Sequence, residues 1–212
     1  MATELDIAHM ALGHLGVTRR LTSLADDTES ARACDLFFGT CRDEVLRAFP
    51  WPFATVQAEL DLVEDLSNND TAEWTYSYRY PADCLRFLRI RSGAGRRETA
   101  QTRVANRVIR DTTGRLILTD QADAVAEYVQ QVTDPAVFSP DFVTALSYRL
   151  AGAIAPAVTS GDPNRLGLRA LQLYDLAIRQ AQATALNEQR PDADTSSGFL
   201  AARNGLSRED GF

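Results

Sequence analysis

The sequence predicts an α+β fold: a four-helix bundle interrupted by an antiparallel β-module and followed by a flexible C-terminal tail. Two changes of hydrophobic period carry this reading. Apolar residues recur every three to four positions up to residue 49, every second position within 54–132, and every three to four again over 139–186. A third observation separates the tail, because 187–212 is polar and keeps no period. The chain therefore divides into a first helical half over 1–53, the β-module over 54–132, a second helical half over 133–186 and the tail over 187–212.

Each element has a local cause. Thr3 can cap a first helix, with Asp6 at the capping-box position, Leu5, Ala8, Leu12 and Leu15 on one face, and Gly16 as its stop. Asp26 and Glu29 form the acidic start of a second, longer helix. Ala31, Cys34, Phe38, Cys41, Val45 and Phe49 line its face until Pro50 and Pro52, which lack an N–H to donate, end it. In 54–62 Ala54, Val56, Ala58, Leu60 and Leu62 alternate with polar residues, the signature of a strand with one buried face. A polar loop is expected over 64–73, and Trp74, Tyr76, Tyr78 and Tyr80 repeat the alternation as a core face. Further strands are expected over 85–91 and 124–132, with a hairpin of 107–111 and 115–119 turned by Thr112, Thr113 and Gly114. Ser139 followed by Pro140 starts a third helix, with Phe142, Leu146, Leu150, Ala153 and Ala157 inward. Ala151, Gly152, Ala153 and Ala155 keep that helix thin for a close neighbour, and Pro156 is expected to kink it. Asp162 and Pro163 start the fourth, with Leu166, Ala170, Leu173, Ala177 and Ala181 inward.

Composition narrows the function. A chain of 212 residues supports one core, with a satellite module at most. It has no apolar run long enough for a membrane span, and the opening MATELDIAHM lacks the basic start and apolar stretch of a signal peptide, so a cytosol-like compartment is expected. The net charge is −7, and every one of the 22 basic residues is arginine. Residues 86–115 hold nine of these arginines against Glu98 and Asp111, a local charge of +7 that leaves −14 for the rest of the chain. Arg89, Arg91, Arg96, Arg97, Arg103, Arg107 and Arg110 form a candidate basic interaction surface, able to meet an acidic protein or nucleic-acid phosphates. Solvated arginines on a half-buried sheet are the plainer alternative.

No catalytic, cofactor or metal site can be nominated. His9 and His14 stand five apart on one helix, a spacing that turns them away from each other. Cys34 and Cys41 share an apolar face and read as buried small hydrophobes; with Cys84 the cysteine count is odd and there is no C-x-x-C. No serine sits in a G-x-S-x-G elbow, and Gly93-Ala94-Gly95 reads as a turn rather than a phosphate cradle. An α+β enzyme whose site is completed by an oligomeric neighbour, and a nucleic-acid-binding module using the arginine-rich sheet, stand as alternatives.

Six segments, taken in order, resemble the head-to-tail adaptor proteins of tailed, mainly short-tailed, bacteriophages, a family also called tail tubular protein A or gatekeeper. They are ALGHLG, SLADDTESARAC, CRDEVLRAFPWPFA, WTYSYRYPADCLR, YVQQVTD and SPDF, followed by the Leu- and Ala-rich final helices. The resemblance runs over about residues 5–186 and is most specific in RDEVLRAFPWPFA (42–54) and YRYPADCLR (78–86). It implies a structural virion protein, not an enzyme, made in the host bacterial cytoplasm and placed at the head–tail junction. About a dozen copies would form a ring below the portal protein, extend the DNA channel without sequence-specific contacts, and present a platform to a tail or nozzle protein. The tail would reach the portal, with Phe199, Leu200, Leu206 and Phe212 as anchors that order on docking.

Overall fold

The computed structural model describes residues 2–67, 72–93, 103–112, 114–159 and 162–188. It contains four helices and two antiparallel sheets. In chain order these are α1 (Glu4–His14), α2 (Glu29–Ala48), β1 (Thr55–Glu59), β2 (Leu62–Asp65), β3 (Tyr76–Arg79), β4 (Cys84–Ile90), β5 (Asn106–Arg110), β6 (Arg115–Thr119), β7 (Val125–Gln130), α3 (Pro140–Val158) and α4 (Pro163–Glu188). The anchors Phe199, Leu200, Leu206 and Phe212, with Arg96 and Arg97, lie outside the described residues. No helix among the described residues is long and apolar enough to cross a membrane.

Helix ends follow local chemistry. Thr3 and Asp6 form the expected reciprocal capping box on α1. At the other end Gly16, with φ +77°, makes a Schellman turn in which Val17 N–H donates to Leu12 O and Gly16 N–H to Gly13 O. α2 is capped by Thr28 rather than by Asp26. Asp26 instead closes the preceding loop by accepting from the N–H groups of Thr22 and Ser23. Ser139 caps α3 ahead of Pro140, and Asp162 accepts from Arg165 N–H at the start of α4. α3 continues through Pro156 to Val158, and α4 runs two residues beyond the expected boundary at 186.

Three layers result. α3 is central, and α1, α2 and α4 all pack against it. The main core joins Ile7, Leu12, Phe38, Val45, Trp51, Phe142, Leu146, Leu150 and Ile154 from the helical layer to Val129 of β7. The sheet of order β1-β7-β4 lies beneath, with Leu85, Leu88 and Val129 toward the helices. Its other face meets the sheet of order β2-β3-β6-β5 across a smaller core of Tyr78, Tyr80, Cys84, Ile90, Ile117, Ala126 and Tyr128. The alternation of Tyr128 and Val129 toward different cores is the period-two pattern that distinguished the β-module in the sequence. The aromatic stripe is a core face from Tyr76 on: Tyr78 and Tyr80 are buried and Tyr76 packs beside them, while Trp74 is half-buried and precedes β3.

One expected strand is two. The stretch 54–62 changes sheet at Leu60 and Asp61, where Leu60 N–H donates to Ala124 O in one sheet and Asp61 O accepts from Arg79 N–H in the other. Residues 62–65 then form β2, partly within the expected polar loop, and Leu62 is 54% exposed rather than buried. One inward assignment on the helices shifts as well: Ile178 rather than Leu173 is buried on α4, while late in α3 Ala151, Ile154 and Ala155 are buried and Ala153 and Ala157 pack half-buried against the same core.

The small-residue stripe brings α3 and α4 close. A Cβ on Gly152 would stand 2.7 Å from Leu171 Cδ2 and 2.8 Å from Leu171 Cγ, and one on Gly167 would stand 3.3 Å from Ala155 Cβ. Gly152→Val is therefore expected to destabilise by about 1–3 kcal/mol through overpacking. Gly13→Ala in α1 meets nothing within 4 Å and should stabilise by up to about 1 kcal/mol. Denaturant titration of both variants checks the contrast.

Candidate interaction surface

The described arginines of the cluster do not share one surface, because β4 and β5 belong to different sheets. Arg86, at the start of β4, donates from Nη1 to the carbonyls of Arg47 (3.3 Å) and Ala48 (3.4 Å), so it caps the C-terminus of α2. Arg89 forms an ion pair across the ladder with Glu127, from Nε at 3.2 Å and Nη2 at 3.0 Å. Arg91 donates to Gln57 Oε1 on β1. Arg115 lays its guanidinium 3.6 Å over the Tyr80 ring. These four side chains have partners within the fold.

The remaining described candidates gather on or next to the sheet of order β2-β3-β6-β5, sheet two. Arg107 and Arg110 lie on β5 and Arg103 precedes it, all exposed. Arg107 reaches Glu73 Oε2 at 3.2 Å, an exposed pair of the kind worth at most about 1 kcal/mol. Arg110 stands directly opposite Arg115 in the hairpin register, two like charges held side by side. Val108, between Arg107 and Arg110, is 41% exposed. The opposite edge of the same sheet, β2, is acidic: Asp61, Glu64 and Asp65 are exposed there with Leu62 and Val63, preceded by exposed Glu59. Reading 64–73 as loop hid this edge; the run Asp61-Leu62-Val63-Glu64-Asp65 was its only sequence signal.

A second feature escaped the sequence reading. The segments 42–54, 78–86 and 128–134 meet in a single joint between α2, β4 and β7. Asp83 is its hub, accepting from Tyr128 Oη at 3.1 Å and Gln130 Nε2 at 2.7 Å, while its backbone O accepts from Gln131 N–H at 2.8 Å. Gln131 in turn donates from Nε2 to Asp43 at 2.7 Å. Asp43 pairs with the buried Arg42 at 2.8 Å, and Glu44 pairs with Arg149 of α3. Trp51 donates from its indole N–H to Val45 O at 2.9 Å. A lone aspartate among 29 acids gives no local sign of such a role, because its partners are 45 and 47 residues away.

Burial, then the Asp83 carboxylate and the hydrogen bond to it, push the Tyr128 phenol up to about 12. A folded-state value raised above the unfolded one means that stability present below pH ~10 is lost as pH climbs through the folded value. Asp83→Asn removes the repelling charge and leaves the burial. The Tyr128 titration should therefore move down while staying above the unfolded value, as read by tyrosinate absorbance with Tyr128→Phe as the blank.

The other reactive groups are engaged in packing. Burial raises the Cys34 and Cys41 thiols to about 11 and Cys84 upward, which keeps them protonated at neutral pH. His9 Nε2 accepts from Leu21 N–H at 3.0 Å. His14 stacks on Tyr148 and lies 3.0 Å from Ser147 Oγ, and its partial desolvation lowers its basicity. Among the described residues no group of three or more His, Cys, Asp or Glu side chains could hold a metal ion. What the arrangement offers is a charged sheet whose two edge strands have no further strand partner among the described residues, and a hydrogen-bonded joint between helix and sheet. Neither a scan of family models nor a search of curated proteins finds a match to this chain.

Proposed function

We propose that this protein is a structural head-to-tail adaptor, forming a ring between a phage portal and the tail and extending the DNA channel. The observation that carries the reading is the joint just described. The two most specific segments of the adaptor resemblance, 42–54 and 78–86, and the further segment 128–134 are far apart in sequence yet interlock residue by residue. What supports the reading is that the segments carrying the resemblance are also the ones that tie the helices to the sheet here. In this reading α1, α2 and α4 around α3 form a four-helix bundle that packs side by side in the ring, and the β-module is its insert. The charge left outside 86–115, −14, suits a channel wall that passes DNA without gripping it, because phosphate contacts would make passage stick in a salt-dependent way.

Electron microscopy of the purified protein mixed with assembled rings of its portal tests this. The expected result is an added ring of density below the portal, and bare portals at saturating protein would overturn the proposal. The nucleic-acid alternative loses support because Arg86, Arg89, Arg91 and Arg115 have partners within the fold. It expects tight duplex binding at low salt that fades steeply with added salt, whereas the adaptor should bind duplex DNA weakly throughout.

A further inference from the structure

Sheet two ends in two edges that no other strand among the described residues covers, and they carry opposite charge. We infer that β5 of one copy pairs with β2 of a second copy, joining copies of this chain head to tail into one continuous antiparallel sheet. The identification of that sheet with a ring below a portal rests on the adaptor reading; the pairing itself rests on the following features of the sheet.

Topology permits it. The order β2-β3-β6-β5 alternates in direction at every step, so β2 and β5 run antiparallel to each other. A second copy set beside the first in the same orientation brings its β2 antiparallel to β5, and the alternation continues without a break. An odd number of strands would have forced a parallel junction. The contact is heterologous, the class that closes into a ring when its rotation allows.

Charge selects it. Open edges invite any strand, and proteins usually guard them with charged side chains. Here β5 carries Arg107 and Arg110 while β2 carries Glu64 and Asp65 next to Asp61. Pairing of β5 with β5, or of β2 with β2, sets like charges opposite each other. Pairing of β5 with β2 sets unlike ones opposite. Side-chain order agrees: Glu64 and Arg107 both lie in the row of Ser77 and Leu118, and Leu62 and Val108 both lie in the row of Tyr78 and Ile117, so setting Arg107 opposite Glu64 puts each pair on one face of the sheet, with Val63 as the extra residue beside Leu62. The pairing would also cover Val63 and Val108, each 41% exposed, and Leu62. Val63 lies at a bulge that takes it out of register with β3, which bends β2 at the contact. Arg107 must share or exchange Glu73, a pair exposed at both ends.

The test is cross-linking of the full chain. Val63→Cys and Val108→Cys cannot bond within one molecule, since three strand spacings of about 4.8 Å separate the edges and a disulfide needs Cα atoms within about 7 Å. The native Cys34, Cys41 and Cys84 are buried. Mild oxidation of the double variant should give a ladder of dimers, trimers and higher species, and each single variant should give no cross-linked species. Adding Arg107→Glu should cut the cross-linked fraction about tenfold through like-charge repulsion, and adding Glu64→Arg on top should restore it. No ladder, equal cross-linking of the Val108→Cys single variant, or indifference to the charge changes would each overturn the pairing. Circular dichroism confirms that each variant is folded. A density ring below the portal without a ladder overturns the pairing alone, and a ladder without the ring overturns the adaptor reading alone.

Discussion

Trp51→Ala should lower unfolding free energy by about 3–5 kcal/mol, a large share of the roughly 5–15 kcal/mol available to a whole domain. Trp51 follows the end of α2 between Pro50 and Pro52 and is 1% exposed. Its ring meets Phe49 and Phe142 edge-on at 5.4 and 5.2 Å and stacks near Phe53 at 6.1 Å, so it joins the end of α2 to α3 and to the entry of β1. Its backbone O accepts from the N–H groups of Ala54 and Thr55, which starts the first strand from the same residue. Truncation removes that packing and strips Val45 O of its indole donor in a buried setting. Trp51→Phe separates the two losses: most of the ring volume stays, and the missing hydrogen bond should cost about 1–2 kcal/mol. Denaturant titration measures both. A Trp51→Ala midpoint equal to the parent's would mean that the ring is not part of the core.

What could be read in the sequence, and what could not, divides by distance along the chain. Helix starts are local: Thr3 with Asp6, Ser139 with Pro140, and Asp162 with Pro163 sit within a few residues of the groups they serve, and all three appear as expected. The hairpin of β5 and β6 is local too, closed by Asp111 and Gly114. The partition into two sheets is not. Alternation in 54–62 tells which side chains share a face, but the choice of ladder partner is made by Ala124 for Leu60 and by Arg79 for Asp61, 64 and 18 positions away. The same blindness merged the arginines of β4 and β5 into a single candidate surface and concealed the acidic edge opposite. Among the seven candidates, sequence proximity grouped Arg89 and Arg91 with Arg103, Arg107 and Arg110, while strand pairing divides them between two sheets. Asp83 shows the limit most plainly: its role depends on Tyr128 and Gln130, whose presence nearby only the fold supplies.

Deleting residues 189–212 should leave the thermal midpoint within a degree or two of the parent's and abolish or sharply weaken attachment to the portal. The last buried side chain among the described residues is Ala185, and α4 ends at Glu188, so a cut after 188 spares the helix and the core it closes. The deleted segment is mainly polar, but Phe199, Leu200, Leu206 and Phe212 are spaced with neither a helical nor a strand period. The composition predicts little burial within the segment itself. A cleft on another chain can supply the missing burial, and the ordering cost then falls at the moment of docking, which makes attachment depend on an assembled partner. The anchors account for the effect if Phe199→Ser with Phe212→Ser weakens attachment nearly as much as the deletion, since those changes leave length and charge alone. Pull-down on assembled portal rings compares the three chains. Equal retention of all three would remove the docking role from the tail and shift it to the body of the protein.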